Sequence, residues 1–118
     1  MTFQSLIPIL YSDDLERSFA YYTTKLGFEK KWAWGTSPDF GCVGRDDVEI
    51  FFCLRNQGNP GAWLCINVDN VDEYYALIKD NGAEILSPPA DKEWFMREML
   101  VADPDGNIIR FGHGIRCD

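Results

Sequence analysis

The chain has 118 residues, with 19 acidic and 11 basic side chains and a formal net charge of -8. An apolar fraction of 46% excludes a disordered chain, and a pI near 4.5 disfavours binding to nucleic acid or to anionic membranes. The single histidine, His113, excludes a metal site built from several histidines. We therefore expect one domain, residues 1–118. If electrostatic attraction determines which partner binds, that partner is neutral or cationic.

The N-terminal residues and the cysteines indicate a protein that stays inside the cell. MTFQSLIPIL has no Lys or Arg, and Pro8 interrupts its apolar run, so it does not resemble an export signal. No apolar run approaches the ~20 residues of a membrane span. We expect Cys42, Cys53, Cys65 and Cys117 to be reduced thiols in a cytoplasmic protein, with Cys53 and Cys65 buried as small apolar side chains.

Two helices are predicted from a pattern that recurs at an offset of 56 residues. Residues 13–29 and 69–85 both carry apolar residues at helical spacing. Each segment begins with Asp or Asn, which can cap a helix, and each closes near a glycine, Gly27 or Gly82. The repeat indicates two similar modules in one chain.

Strands surround each helix in the same order. One strand precedes each helix, at residues 5–11 and 62–68, and three follow it, at 30–34, 40–43 and 48–54 and at 84–86, 97–102 and 108–112. The turn sequence DPDGN at 103–107 joins the last two strands, as 45–47 does in the first half. The sequence thus predicts two βαβββ modules, at about 5–55 and 61–113.

These modules resemble the vicinal oxygen chelate superfamily of glyoxalase I, extradiol dioxygenases and bleomycin resistance proteins. The resemblance rests on the segments IPILYSDDLERSFAYYTTKLGF, VEIFF, INVDNVDEYY and DPDGNIIRF, and the last, with MRE before it, is most similar to the bleomycin resistance branch. It implies an α+β fold in which paired βαβββ modules form a groove from curved mixed sheets. It also implies a homodimer whose grooves are completed by both subunits, sometimes with an exchanged N-terminal strand, and Pro8 suits such an edge or hinge.

The positions that bind metal in the superfamily's enzymes argue against a metal here. Those enzymes place one ligand on the first and last strand of each module, and the matching residues are Ile7, Glu49, Trp63 and Arg110. Only Glu49 is a metal ligand by type, so we expect no metal, cofactor or catalytic residue. Two interpretations of these positions stay open: Glu49 and Arg110 pair across the groove, or Arg110 is a solvated strand residue. His113 and Cys117 have the spacing of half a zinc site, and the sequence offers no second half.

Aromatic residues are the strongest indication of a binding site. Four tryptophans lie near loops or groove positions, where they either line a groove for an aromatic or cationic ligand or pack on the sheet or in a dimer interface. Arg97 either orients a ligand or forms a structural ion pair, and the structural role is slightly favoured. The predicted ligand-binding residues are Trp32, Trp34, Phe40, Glu49, Phe51, Trp63, Trp94, Phe95, Arg97 and Arg110.

The resemblance implies a non-catalytic protein that sequesters a cationic, aromatic small molecule in a metal-free groove. A bleomycin-type glycopeptide antibiotic, positively charged and bithiazole-bearing, suits an acidic and aromatic groove of this kind. The alternative is an enzyme of the same superfamily that acts on an unknown metabolite, with Glu49 as general base or remnant metal ligand. A third interpretation is a dimeric scaffold or sensor whose tryptophans lie in the interface. No nucleic acid or membrane partner is expected.

Overall fold

The computed structural model describes residues 1–116 and contains two four-stranded sheets. The first module comprises β1 (Ile9–Ser12), α1 (Leu15–Ala20), a π-helical turn (Tyr21–Lys25), β2 (Glu29–Ala33), β3 (Phe40–Arg45) and β4 (Val48–Leu54). The second comprises β5 (Trp63–Asn67), α2 (Val71–Asp80), β6 (Glu84–Asp91), β7 (Met96–Ala102) and β8 (Ile108–Gly114). The predicted α+β fold of paired βαβββ modules is confirmed.

Both sheets have the same mixed topology. The strand orders are β1-β4-β3-β2 and β5-β8-β7-β6, and the first strand of each module pairs parallel with its last. All other pairs are antiparallel. The parallel pairing requires a crossover, which the helix of each module supplies. Each helix consequently covers one side of its sheet, and the sequence repeat is a repeat of this unit.

The helices begin where the sequence predicts, although the first ends differently. The side chains of Asp14 and Asn70 accept hydrogen bonds from backbone N–H groups three residues later, at 3.1 and 3.0 Å. After Ala20 the first helix widens into the π-helical turn, in which the Leu26 N–H donates to the Tyr21 carbonyl. A single regular helix over 13–29 is therefore wrong in its last turns.

One apolar core joins the helix-covered sides of both sheets. It contains Tyr22 and Phe52 from the first module and Ile78 and Phe111 from the second. In β4, Ile50 and Phe52 enter this core while their neighbours alternate to the other side. The core therefore fixes which side of each sheet remains uncovered.

The N-terminal residues stand apart from this core. The strand predicted at 5–11 begins at Ile9, and the apolar side chains of Met1, Phe3 and Leu6 are almost fully exposed. Pro8 is the first residue with a sheet contact, because its carbonyl accepts from the Phe51 N–H at 3.0 Å. Among residues 1–116, no helix is both long and apolar enough to span a membrane.

The two cysteines expected to be buried have different environments. Cys53 is buried in β4, as predicted, but Cys65 is exposed in β5. Strand alternation explains the difference, because Cys65 lies on the same side of β5 as the exposed Trp63, whereas Ile66 enters the core. The burial predicted for Cys65 is wrong.

Candidate ligand-binding faces

Each sheet has an uncovered side that carries most of the predicted ligand-binding residues. We term the uncovered side of the first sheet the first face, comprising Trp32, Phe40, Cys42, Glu49 and Phe51. We term the uncovered side of the second sheet, with the loop before β7, the second face, comprising Trp63, Trp94, Glu98 and Arg110. The two faces belong to different sheets of the same chain.

The first face is an aromatic surface. The ring centroids of Trp32, Phe40 and Phe51 lie 5.1, 5.2 and 5.4 Å apart, with tilted or edge-to-face planes. Such geometries are favourable for aromatic pairs and hold the rings in fixed positions. Because Trp32 and both phenylalanines keep part of their surface exposed, the cluster offers a preformed apolar platform. Trp34, 75% exposed beyond the end of β2, has no ring contact with this cluster.

Glu49 interacts with a thiol rather than with a cation. The buried Cys42 Sγ donates to Glu49 Oε2 at 3.3 Å. Burial of the thiol, together with this bond to the carboxylate, raises the pKa of Cys42 to about 11. The thiol consequently stays protonated near neutral pH, which makes it a hydrogen-bond donor and a poor nucleophile.

The second face contains a carboxylate that two exposed groups share. Glu98 is only 4% exposed. Its Oε1 accepts from the indole Nε1 of Trp94 at 2.9 Å, and its Oε2 accepts from the guanidinium of Arg110 at 3.2 Å. Glu98 was not among the candidate site residues predicted from the sequence. The alternation of β7 was the missed signal, because the buried Met99 and Val101 place Glu98 on the opposite side of the strand.

The interpretation of Glu49 and Arg110 as an ion pair is wrong within the chain. Arg110 pairs with Glu98, its diagonal neighbour in the second sheet, while Glu49 lies in the first sheet. The register explains the choice, since Leu100 lies opposite Arg110 and Glu98 lies one pleat further along β7. A single sequence does not specify the register between β7 and β8, so this partner could not be predicted.

Arg97 is placed on the helix-covered side of its sheet, away from the second face. Its guanidinium forms a two-bond pair with Asp72 at 2.7 and 2.8 Å and also contacts Asp91 at 3.0 Å. The hydrogen bonds from Arg97 hold the pKa of Asp72 below its usual value. Arg97 therefore joins the start of α2 to the edge of the sheet, which is the structural ion pair slightly favoured by the sequence analysis.

The remaining predicted aromatic residues lie at the margins of the second face. Trp63, at the start of β5, is mostly exposed and lies opposite Ile108 in the parallel register. Phe95, also exposed, has a backbone φ of 62°, an unusual value for a bulky residue. Among residues 1–116, neither ring has a ring–ring contact, and both are exposed.

The residues present do not fit a metal ion at the superfamily positions. Ile7 and Trp63 offer no donor atom, and Arg110 brings a positive charge. Within residues 1–116, no group of three or more His, Cys, Asp or Glu side chains is placed to hold a metal. His113 Nδ1 instead accepts from the Val71 N–H at 2.9 Å, which caps α2, and Cys117 lies outside the described residues.

A cavity of about 700 Å³ lies away from both faces. It separates the turn between β3 and β4 from α2 and has Tyr74 and Phe111 in its lining, with acidic residues such as Asp47 and Glu73. Arg45 lies 5.6 Å from the Tyr74 ring beside it. None of the ten predicted ligand-binding residues lines this cavity.

Comparison with known proteins supports the resemblance read from the sequence. Residues 5–111 match the model of the Glyoxalase/Bleomycin resistance protein/Dioxygenase superfamily. Bleomycin resistance proteins of Geobacillus stearothermophilus and Staphylococcus aureus are 32% identical over 130 aligned positions, covering 93% of this chain and 96% of theirs.

Solved structures share the fold at lower identity. TioX from Micromonospora sp. ML1 superposes with a TM-score of 0.85 at 19% identity, covering 95% of this chain and 99% of that one. The bleomycin-binding protein of Streptomyces verticillus, solved with copper(II)-bleomycin, superposes with a TM-score of 0.80 at 21% identity, covering 97% and 98%. At these identities the likeness establishes the fold.

Proposed function

Since the chain belongs to the glyoxalase/bleomycin resistance protein/dioxygenase superfamily, we propose that it binds a bleomycin-type glycopeptide antibiotic without changing it. The observation that carries this proposal is the platform of Trp32, Phe40 and Phe51, which is preformed, apolar and partly exposed. A flat heteroaromatic group such as a bithiazole gains contact area on such rings. The net charge of -8 favours the positive charge of the drug.

The groove in this proposal is formed by two copies of the chain. The two faces lie on separate sheets, so the first face of one copy can lie against the second face of its partner. Burial of the exposed Trp63 and Phe95, with the apolar N-terminal residues, would stabilise such a homodimer. In this arrangement the tryptophans at the rim of the groove lie in the dimer interface, as the third interpretation of the sequence has it.

Protection in this proposal arises from mass action. No bond in the drug breaks, so the protein must bind tightly and be present in excess over the free drug. In this proposal the sequestration takes place in the cytoplasm, which agrees with the reduced state expected of the cysteines. The donor set at the superfamily positions supports metal-free binding, because only Glu49 is a ligand by type there.

An enzyme of the same superfamily is the second candidate, and Glu49 is the observation in its favour. Glu49 is an exposed carboxylate at a superfamily ligand position and next to the aromatic platform. Its Oε2 already accepts from the Cys42 thiol, an interaction that favours a fixed structural orientation over proton transfer. Loss of bleomycin and appearance of a new product during incubation would favour this candidate over sequestration.

Titration of tryptophan fluorescence with bleomycin tests the proposed function. We expect saturable quenching at one site per protomer, with both metal-free and copper-loaded drug, and recovery of the unmodified drug afterwards. Replacing Trp32 by Phe keeps a ring on the platform and should weaken binding by about twofold to tenfold. Replacing Trp34 by Phe is the matched control, because Trp34 has no ring contact with the platform.

The outcomes of this titration separate binding from its absence. Added salt should weaken binding if the acidic charge of the protein contributes to it. A linear response without saturation, or no response at millimolar drug, would contradict the proposal. Equal effects of the Trp32 and Trp34 variants would remove the platform from the site.

A further inference from the structure

Glu98 lies beneath two exposed groups of the second face and bonds to both. Its carboxylate is buried, whereas the Trp94 side chain is 58% exposed and the Arg110 side chain is 44% exposed. One carboxylate oxygen accepts from each of them, at 2.9 and 3.2 Å. Both oxygens are thus used to hold side chains that a ligand can reach.

The sheet is shaped to hold this carboxylate. Gly112 lies opposite Glu98 in the antiparallel register, and a Cβ atom added to it would come within 2.9 Å of Glu98 Cγ. A glycine at this position therefore leaves the space in which the Glu98 side chain lies against the strand. Glu98 is also offset from Cys42 by the 56 residues that relate the two helices. Both modules thus use this position to bond a diagonal neighbour on the adjacent strand, Glu49 in the first and Arg110 in the second.

The loop that carries Trp94 is fixed by its own backbone. The Lys92 N–H donates to the Met96 carbonyl at 2.7 Å, and the Phe95 N–H donates to the Lys92 carbonyl at 3.2 Å. The Phe95 carbonyl accepts from the Ile115 N–H at 2.9 Å. These bonds fix the backbone of the loop. The hydrogen bond from the Trp94 indole to Glu98 then sets the orientation of the Trp94 ring. Trp94 stays more than half exposed, so a ligand can reach it.

Arg110 retains hydrogen-bond donors after it pairs with Glu98. A guanidinium has five N–H donors, and the bond to Glu98 uses one of them among residues 1–116. The carboxylate also balances the positive charge of the guanidinium. What the second face presents to a ligand is therefore a flat ring beside free donors.

We propose that Glu98 is a positioning residue that holds the Trp94 indole and the Arg110 guanidinium as one unit, and that this unit receives a planar group bearing a hydrogen-bond acceptor. This inference rests on the proposed function in one respect, that the second face lines the ligand groove. It adds that this face selects an acceptor, such as a carboxylate, a sulfonate or an amide carbonyl, whereas the acidic composition by itself suggests a cation.

The positioning role is tested with a neutral fluorescent probe, N-phenyl-1-naphthylamine. Glu98→Ala should weaken its binding about fivefold, because the ring of Trp94 is no longer held. Trp94→Phe should have a similar effect, and the double variant should bind no more weakly than Trp94→Phe alone. Additive losses, or an unchanged affinity in Glu98→Ala, would overturn the positioning role. Glu16→Ala, which removes an exposed carboxylate of α1, is the matched control.

NMR of the tryptophan indole N–H groups gives a second readout that does not depend on a ligand. With 15N-labelled tryptophan, the Nε1–H signal of Trp94, assigned from its absence in Trp94→Phe, should shift and exchange faster in Glu98→Ala. Glu98→Gln should restore much of this protection, because its amide oxygen still accepts a hydrogen bond. A Trp94 signal that is the same in wild type, Glu98→Ala and Glu98→Gln would overturn the proposal even if Glu98→Ala unfolded in part.

The preference of the second face for an acceptor group is tested with a double variant that has the same net charge as wild type. Glu98→Gln with Arg110→Gln keeps the net charge at -8 and keeps an oxygen for the Trp94 indole. Its affinity for N-phenyl-1-naphthylamine should stay within about twofold of wild type, while its affinity for the 8-sulfonate of the same compound should fall about tenfold. Equal changes for the two probes, or binding of neither to wild type, would overturn the proposal. Bleomycin is absent from these experiments, so they can succeed where the proposed function fails.

Discussion

A buried hydrogen bond between Tyr22 and Asp103 connects the two modules. The Tyr22 hydroxyl, fully buried, donates to Asp103 Oδ2 at 2.8 Å, and Asp103 also accepts from the backbone N–H groups of Asp105 and Asn107. Burial, with the carboxylate beside it, raises the pKa of Tyr22 well above its usual value, so the hydroxyl stays protonated and continues to donate. This bond joins the first helix to the turn before β8.

Replacing Tyr22 by Phe should lower the free energy of unfolding by about 1.5–3 kcal/mol, because a buried carboxylate loses a donor. Urea unfolding followed by far-UV circular dichroism measures the change. Tyr11→Phe is the matched control, because its hydroxyl makes only an exposed contact of 3.4 Å with Asp13; this variant should stay within about 0.5 kcal/mol of wild type. Equal stabilities for the two variants would show that the buried bond adds nothing.

At the scale of elements, the sequence predicted the order of helices and strands because each has a clear apolar period. The last turns of the first helix were missed because Thr23 and Thr24 donate to the Phe19 and Ala20 carbonyls, a local competition that periodicity does not express. The strand predicted at 84–86 ends before Pro88 and Pro89, whereas β6 continues through both prolines to Asp91. It is an edge strand with two register shifts, a setting that tolerates proline.

Arg97 joins two elements, and its effect should depend on pH. Because bonds from Arg97 lower the pKa of Asp72 in the folded state, the pair stabilises the fold above the unfolded pKa of about 3.9, and this contribution is lost as pH falls through the lower folded value. Arg97→Met should therefore be destabilised at neutral pH, with the difference from wild type shrinking in acid.

Thermal unfolding of Arg97→Met between neutral and acid pH measures this effect. Arg55→Met is the matched control, since Arg55 lies 4.0 Å from Asp13 in an exposed pair. A destabilisation that is constant with pH would contradict the role of Asp72. Ligand affinity should be unchanged in Arg97→Met, because Arg97 lies on the helix-covered side of the sheet.

At the scale of the whole molecule, sequence reasoning found most residues of the two faces but not their partners. Trp32, Phe40 and Phe51 were all among the predicted ligand-binding residues, and strand pairing brings them to one face. The pairing of Arg110 with Glu98 depends on strand register, and the place of Arg97 depends on how α2 packs, neither of which a single sequence specifies. The fold was thus more predictable than the contacts within the site.

The proposed groove requires the first face of one copy to lie against the second face of another. In a symmetric dimer each groove then contains one face from each chain. A variant impaired in the first face and a variant impaired in the second face should each fail to bind, while a mixed dimer contains one groove that is entirely wild type. A groove contained within one chain could not be restored in this way.

Mixing Trp32→Ala with Trp94→Ala and titrating with bleomycin is the most direct measurement of this claim. Each variant alone should sediment at twice 13.5 kDa and bind weakly. After subunit exchange in an equimolar mixture, the account predicts tight sites at about one quarter of the wild-type number, because half of the dimers are mixed and each has one intact groove. A mixture that binds no better than the separate variants, or a wild-type protein that sediments at 13.5 kDa, would contradict it.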